Sequence, residues 1–377
     1  MKKSILLFYI FFVAGALSAQ ITVTNATFPQ TGDTLRTMTD FNPSGIEITP
    51  SGGPYDWDFT SLNTGVVFTT DVYLDASEGS AFDQVPEATH VVINDQLNGG
   101  GEGYYRISGD KMEFLAANGN DPVGIGISSL FRFSPPILQR RAPMIFPANN
   151  TTEANLAVGM AWSDLPAIIT DSLPLPVTPD SIRVRIVNTR TDFVDAYGTL
   201  SIPGGTYEVL REKRTLLRDT KVEAKVPVFG WQDVTDLLLS QFPQLGTDTI
   251  ISYNFFSNTE KEIIATVTVD ANDTPLSVTF KNNDIISGSD EILPGQPVIE
   301  ISPNPADPAT NVTLSNFTKG QYHLDIRGQY GQLVFTKIVD LNNETTVSIN
   351  LSTLPAATYY ILLKNNDGKT IAVEKLI

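Results

Sequence analysis

The sequence predicts an all-β protein: a large antiparallel β-sheet or sandwich domain with little helix, followed by a small Ig-like β-sandwich. Three observations point there. Apolar and polar residues alternate with period two along most of the chain, the spacing of a half-buried strand. Clusters of Gly, Asn, Asp and Pro separate these runs at short intervals, as turns do. One stretch, Trp231–Phe242, has a helical pattern, with Trp231, Val234, Leu237, Leu238 and Phe242 on one face and Pro243 ending it. A hydrophobic content of 41% with 9% aromatics is enough to build a core, so the chain is not a disordered one.

Residues 1–19 read as a secretory signal peptide. Lys2 and Lys3 precede an apolar run, Ile5–Val13, and small residues follow it. Cleavage after Ala19 would leave Gln20 first; cleavage after Ala16 is the alternative. The apolar run is shorter than the roughly 20 residues that cross a bilayer, so a signal peptide is favoured over an anchor. No later run is apolar enough to span, so no integral membrane segment is expected.

Residues 20–281 read as a β-rich main domain. Tyr55, Trp57 and Phe59 alternate with Asp56 and Asp58, and Ile182, Val184 and Ile186 with Arg183 and Arg185. Tyr104–Ile107 and Met112–Leu115 flank a hairpin turn at Ser108–Lys111, and Ile202–Thr206 is a second turn leading into a strand. Ile250–Phe256, Glu262–Val269 and Leu276–Phe280 read as a meander. The Pro-rich stretch Leu173–Pro179 could divide the domain into halves near 170–180.

A polar, Gly- and Pro-containing linker follows at 282–297. Charge breaks at the same place. Residues 20–297 hold 35 acids and 17 bases, net −18, whereas 298–377 hold seven acids and six bases, net −1. Seven short strands are expected in this last segment: Val298–Ser302, Val312–Phe317, Tyr322–Arg327, Gln332–Leu341, Thr346–Leu351, Thr358–Leu363 and Thr370–Leu376. Asn365-Asn366-Asp367-Gly368 makes a tight turn before the last of them.

Several residues of this segment form an ordered set: Pro303, Asn304 and Pro305; Gly320 and Tyr322; Gly331; Leu354 and Tyr359; Gly368 and Lys369; and Lys375 beside the end. In that order, next to a C-terminus and with a signal peptide at the other end, residues 298–377 resemble the type A C-terminal sorting domain of the Bacteroidetes type IX secretion system. The resemblance implies passage through the periplasm and then the outer membrane by the type IX machinery. It also implies removal of the tail, with the cargo released or attached to surface lipopolysaccharide.

Composition excludes several chemistries. With no Cys there is no disulfide, thiolate nucleophile or Cys-based zinc site, and with only His90 and His323 no His-rich metal centre. A net charge of −17 argues against nucleic acid as partner. Asp56 and Asp58 project from one strand face and are candidate carboxylates, although alternation alone accounts for them. His90 lies in a strand, and no Gly-x-Ser-x-Gly accompanies it. Asn98–Gly103 is Gly-rich but lacks the Lys-Ser/Thr of a phosphate loop and reads as a flexible hairpin loop. Turns at Asn118–Asp121 and Asp270–Asp273 offer oxygen ligands of the kind calcium takes, but neither has EF-hand spacing. Nine of the 17 bases of residues 20–297 fall in Arg183–Lys225; they form either a cationic face or cross-strand ion pairs with Asp192, Glu208 and Glu212, and the second is favoured.

No catalytic or cofactor-binding set emerges. The expected function is an exported surface or secreted protein whose cargo domain binds a glycan or a protein without catalysis. The alternatives are a secreted carboxylate hydrolase of glycosidase type and a structural surface component.

Overall fold

The computed structural model describes residues 20–376 except 65–66, 95–100, 120–128, 166–169, 172, 174–176, 240–241, 243–244, 284–297, 307, 329–331, 343, 353, 355–357, 366–367 and 369. The expected signal peptide and most of the expected linker lie outside these residues. Among the described residues strands take up 65% and helices 6%, so the all-β prediction holds.

The first fourteen strands are β1 (Thr34–Asp40), β2 (Gly52–Asp58), β3 (Val67–Asp75), β4 (His90–Asn94), β5 (Gly101–Ser108), β6 (Lys111–Gly119), β7 (Ser129–Arg141), β8 (Ala148–Ala161), β9 (Ser181–Ile202), β10 (Gly205–Val226), β11 (Gly230–Asp233), β12 (Gly246–Phe256), β13 (Ile263–Val269) and β14 (Pro275–Lys281). All belong to one sheet, ordered β11-β10-β12-β13-β14-β1-β3-β4-β5-β6-β7-β8-β9-β2, and a further β9–β10 pairing closes it on itself. β2 and β11 branch off the ring. The strands flanking the Pro-rich stretch, β8 and β9, are paired from Ala148/Val194 to Ala161/Ser181. Neighbours are antiparallel, apart from β2, which runs parallel to β9.

β9 and β10 form the spine, each 22 residues long. The even-numbered residues of β9 are apolar or buried nearly throughout, yet they serve two cores. Ile182, Val184 and Ile186 pack with Phe131, Leu156 and Val222. Ala196, Leu200 and Ile202 pack with Trp57, Phe255 and Phe280. The switch occurs at Asp195. Glu212 pairs with Val194 and Arg211 with Ala196, so Asp195 is an extra, bulged residue. A bulge shifts the parity of a strand by one and sends the following even positions to the other face. Past this point β2 lies so close that a Cβ on Gly198 would come within 1.9 Å of the Tyr55 carbonyl oxygen, which only glycine permits.

The helix expected over Trp231–Phe242 is a correction. Gly230–Asp233 is strand β11, paired to Val226–Glu223 of β10, and among the described residues of this stretch only Thr235–Leu238 is helical (α1). Val234, Leu238 and Phe242 are buried in the same cluster, as the periodicity requires, but Leu237 is exposed. The Trp231 ring instead lies under the Arg183 guanidinium, 4.3 Å away.

The remaining strands are β15 (Val298–Ser302), β16 (Ala309–Ser315), β17 (Gly320–Gly328), β18 (Leu333–Leu341), β19 (Thr345–Asn350), β20 (Tyr359–Lys364) and β21 (Thr370–Leu376). They form a three-stranded sheet, β15-β16-β19, and a four-stranded sheet, β18-β17-β20-β21. The two share a core of Val312, Leu314, Leu324, Ile326, Ile361 and Leu363, among others. All seven strands expected from the alternation are present.

Candidate functional site

The recurring residues of the C-terminal segment hold its sandwich together. Asn304 Nδ2 donates to the Lys375 carbonyl at 2.8 Å and fastens the start of the domain to its last strand. The Pro303 carbonyl accepts from Thr310 Oγ1 at 2.7 Å. Gly320 opens β17 opposite Leu341, and the Tyr322 hydroxyl donates to the Thr318 carbonyl at 2.9 Å. Tyr359 is buried in the core, which pushes its hydroxyl up to about 12. The Leu354 amide donates to the Leu351 carbonyl. Gly368 takes the left-handed conformation that closes the hairpin, at φ 78°. Gly331 and Lys369 lie outside the described residues.

Part of the basic cluster of the cargo domain turns inward: Arg190 and Arg211 are buried, whereas Arg185 and Lys225 are exposed. Arg190 and Arg214 both bind Asp192, at 2.7 and 2.9 Å, and Arg214 also binds Glu212 at 2.9 Å. Burial pushes the Glu212 carboxyl up against the pull of Arg214. Arg211 holds Asp195 through two bonds, Nε to Oδ1 at 2.9 Å and Nη2 to Oδ2 at 2.8 Å. It also donates to Thr49 Oγ1 and the Pro50 carbonyl, between the Trp57 and Tyr253 rings. Arg183 and Arg185 share Glu223. The cross-strand pairing expected of Asp192 is met by Arg214, whereas Glu212 pairs with Arg214 within its own strand. Glu208 differs: it is exposed, opposite Thr199. Asp195 went unnoticed in the sequence because its partner is set by the bulge.

The other candidate residues have local duties. Asp56 and Asp58 are exposed, and Asp58 accepts from the Thr60 hydroxyl and amide, which hold its carboxyl below the usual value. His90 sits in β4 with Nδ1 2.8 Å from Thr89 Oγ1, and burial lowers its basicity against the pull of Asp75 and Asp33. Gly101–Gly103 belong to β5 rather than to a loop, and Glu102 accepts from the Ser80 amide and the Tyr104 hydroxyl. Asn98–Gly100 lie outside the described residues. Asp270 accepts from the amides of Asn272 and Thr274, an Asx turn, and Asp273 accepts from the Tyr253 hydroxyl. Asn118 and Gly119 end β6, and Asn120 and Asp121 lie outside the described residues.

Two clefts stand out among the described residues. One, of about 380 Å³, opens beside the single β7–β8 pair, Phe133 with Leu156, and is lined by Arg132, Glu153, Asn155 and Arg185. The other, of about 450 Å³, lies between the two domains, lined by Asp40, Asn42, Asn63 and Thr370. Each carries one carboxylate, whereas a carboxylate glycosidase works with two.

The most exposed apolar group among the described residues is a hairpin tip. The turn between β10 and β11, Pro227–Phe229, projects Val228 with 102% relative exposure and Phe229 with 72%. Val228 has φ 72°, a conformation a β-branched residue seldom adopts, and Gly230 follows at φ 73°. Partly exposed Trp231, stacked by Arg183, stands at its base, and Leu237 and Leu239 on and after α1 are exposed as well. Two large apolar residues between Pro227 and Gly230 were the available sequence signal.

No curated protein and no solved structure matches the chain. Residues 300–377 match the family described as secretion system C-terminal sorting domain. The β-sandwich at the end of this chain, with Asn304 tied to its last strand, is a type IX secretion sorting domain, and it marks the residues before it as exported cargo.

Proposed function

We propose that the cargo domain is a non-catalytic binding module, delivered to the cell surface or the medium, that engages a protein partner through the Pro227–Trp231 tip. The observation that carries this reading is the exposure of Val228 and Phe229 on a strained turn. Two large apolar side chains left in water, on a backbone that costs energy to hold, are a feature of contact surfaces. Trp and Arg at the base are the residue types that dominate protein interfaces. A lipid surface is disfavoured by the acidic charge of residues 20–297, net −18.

The test is affinity capture from the surface and medium fractions with the tail-free protein, compared with Phe229→Ser. A partner retained by the parent should bind on the order of tenfold or more weakly to the variant, the loss expected of a central aromatic anchor. Equal capture by both would refute the tip as the contact. Sugar release from surface polysaccharide, abolished by one carboxylate substitution, would instead establish the hydrolase reading.

A further inference from the structure

Part of the outer face of the sorting domain's four-stranded sheet, along β20 and the middle of β17, is buried. Along β17 and β20 the inner residues Leu324, Ile326, Ile361 and Leu363 fill the sandwich core. Asp325, Leu362 and Lys364 alternate with them and so point away from it. Those three are nevertheless 5%, 0% and 7% exposed. Thr370, on the neighbouring β21, is buried too.

The cover comes from the cargo domain, just after β1. Phe41 is buried in a cluster whose other members, Tyr360, Leu362 and Val373, all belong to β20 and β21. Its ring centroid is 4.6 Å from that of Tyr360. Asn42 Nδ2 donates to the Gly368 carbonyl and Asn63 Nδ2 to the Thr370 carbonyl, each at 2.9 Å. Lys364 bridges Asp325 at 2.7 Å and reaches Asn42 Oδ1 at 3.4 Å. Behind these contacts, the Asp40 carboxylate accepts from the amides of both Asn42 and Asn63 and fixes the two loops relative to each other.

We propose that Phe41, Asn42 and Asn63 form a receptor for the chain's own sorting domain, so that the precursor travels with that domain latched onto folded cargo rather than trailing from it. The receptor is organised within the cargo domain by Asp40, while its aromatic plug has its packing partners in the sorting domain. The latch therefore exists only when both domains are folded. An unfolded cargo domain leaves Leu362 and the Asp325–Lys364 pair open to water. Release of the sorting domain uncovers Phe41 on the cargo.

The absence of native Cys makes the test direct. In the full-length precursor, Ser44→Cys and Asn365→Cys, beside the latch but outside it, are introduced together and treated with a short bis-maleimide. Rapid cross-linking within one chain, at a rate independent of protein concentration, is expected. Phe41→Asp on the cargo side and Leu362→Asp on the sorting side should each slow it by about tenfold or more, the change produced by losing 1.4 kcal/mol of docking. Absence of the intramolecular product, or a rate that neither substitution changes, overturns the proposal. If Phe41→Asp disturbs the cargo fold, as circular dichroism would reveal, Leu362→Asp decides alone.

Discussion

Replacing Arg211 by Ala should destabilise the cargo domain by about 3–5 kcal/mol, the cost of leaving a buried charge without its partner. Arg211 and Asp195 are among the least exposed charged residues of the protein, at 1% and 2%. Their two parallel bonds sit where the bulge sends β9 from one core to the other. Removing the guanidinium strands the Asp195 carboxylate, to which Ser51 Oγ offers only a 3.3 Å contact. It also releases Thr49 and Pro50, which hold the segment leading into β2. The comparison that isolates the pair is Arg211→Met with Asp195→Leu. An apolar replacement of both partners should recover most of the loss, because the desolvation cost disappears with the charges. Urea unfolding of the three proteins measures this, and equal losses in the single and double variants would mean that the packing of the arginine stem, not the pair, carries the effect.

Arg214→Ala should cost a similar amount at neutral pH, with a defect that depends on pH. Arg214 lies between two buried carboxylates, Asp192 and Glu212. Burial raises the Glu212 carboxyl, and Arg214 is the main force opposing that rise. Without Arg214 the folded-state value moves further up. A carboxyl raised on folding binds its proton more tightly in the native state, so its contribution is fully present below the unfolded value and is lost as pH rises through the folded one. The defect of Arg214→Ala should therefore be smallest below the ordinary glutamate value of 4.5 and grow toward neutrality. Stability curves of the parent and variant from acid to neutral pH give the comparison, and a defect independent of pH would show that Glu212 does not respond to Arg214.

These two sites also show where sequence reading stops. Alternation identified the strands well where partners are consecutive. The hairpin about Gly109 and the β12–β14 meander came from local pattern, because short turns leave little choice of neighbour; alternation also found the seven sorting-domain strands, but not that β16 pairs with β19 and β17 with β20. Period two shows which residues share a face but not what that face meets. The run from Ile182 to Ile202 looks like one continuous buried face, and the single extra residue at Asp195 divides it between two cores. The closing of the ring by β9 and β10, and the parallel addition of β2, are long-range pairings with no local signature. Trp231 misled for a related reason: its position fits a helix stripe, but four ladder pairs with β10 and the Arg183 stack outweigh a weak helical preference. The sorting residues were legible because they form an ordered set next to the C-terminus. The receptor at Phe41 was not, since an aromatic at the end of a strand reads as ordinary core.

The central claim is that residues 298–377 direct everything before them out of the cell. Deleting them and fractionating the cells tests it most directly. The shortened protein should fail to reach the surface and the medium and should collect in the periplasm, while the full chain is delivered. Unchanged delivery of the shortened protein to the surface or the medium would contradict the account.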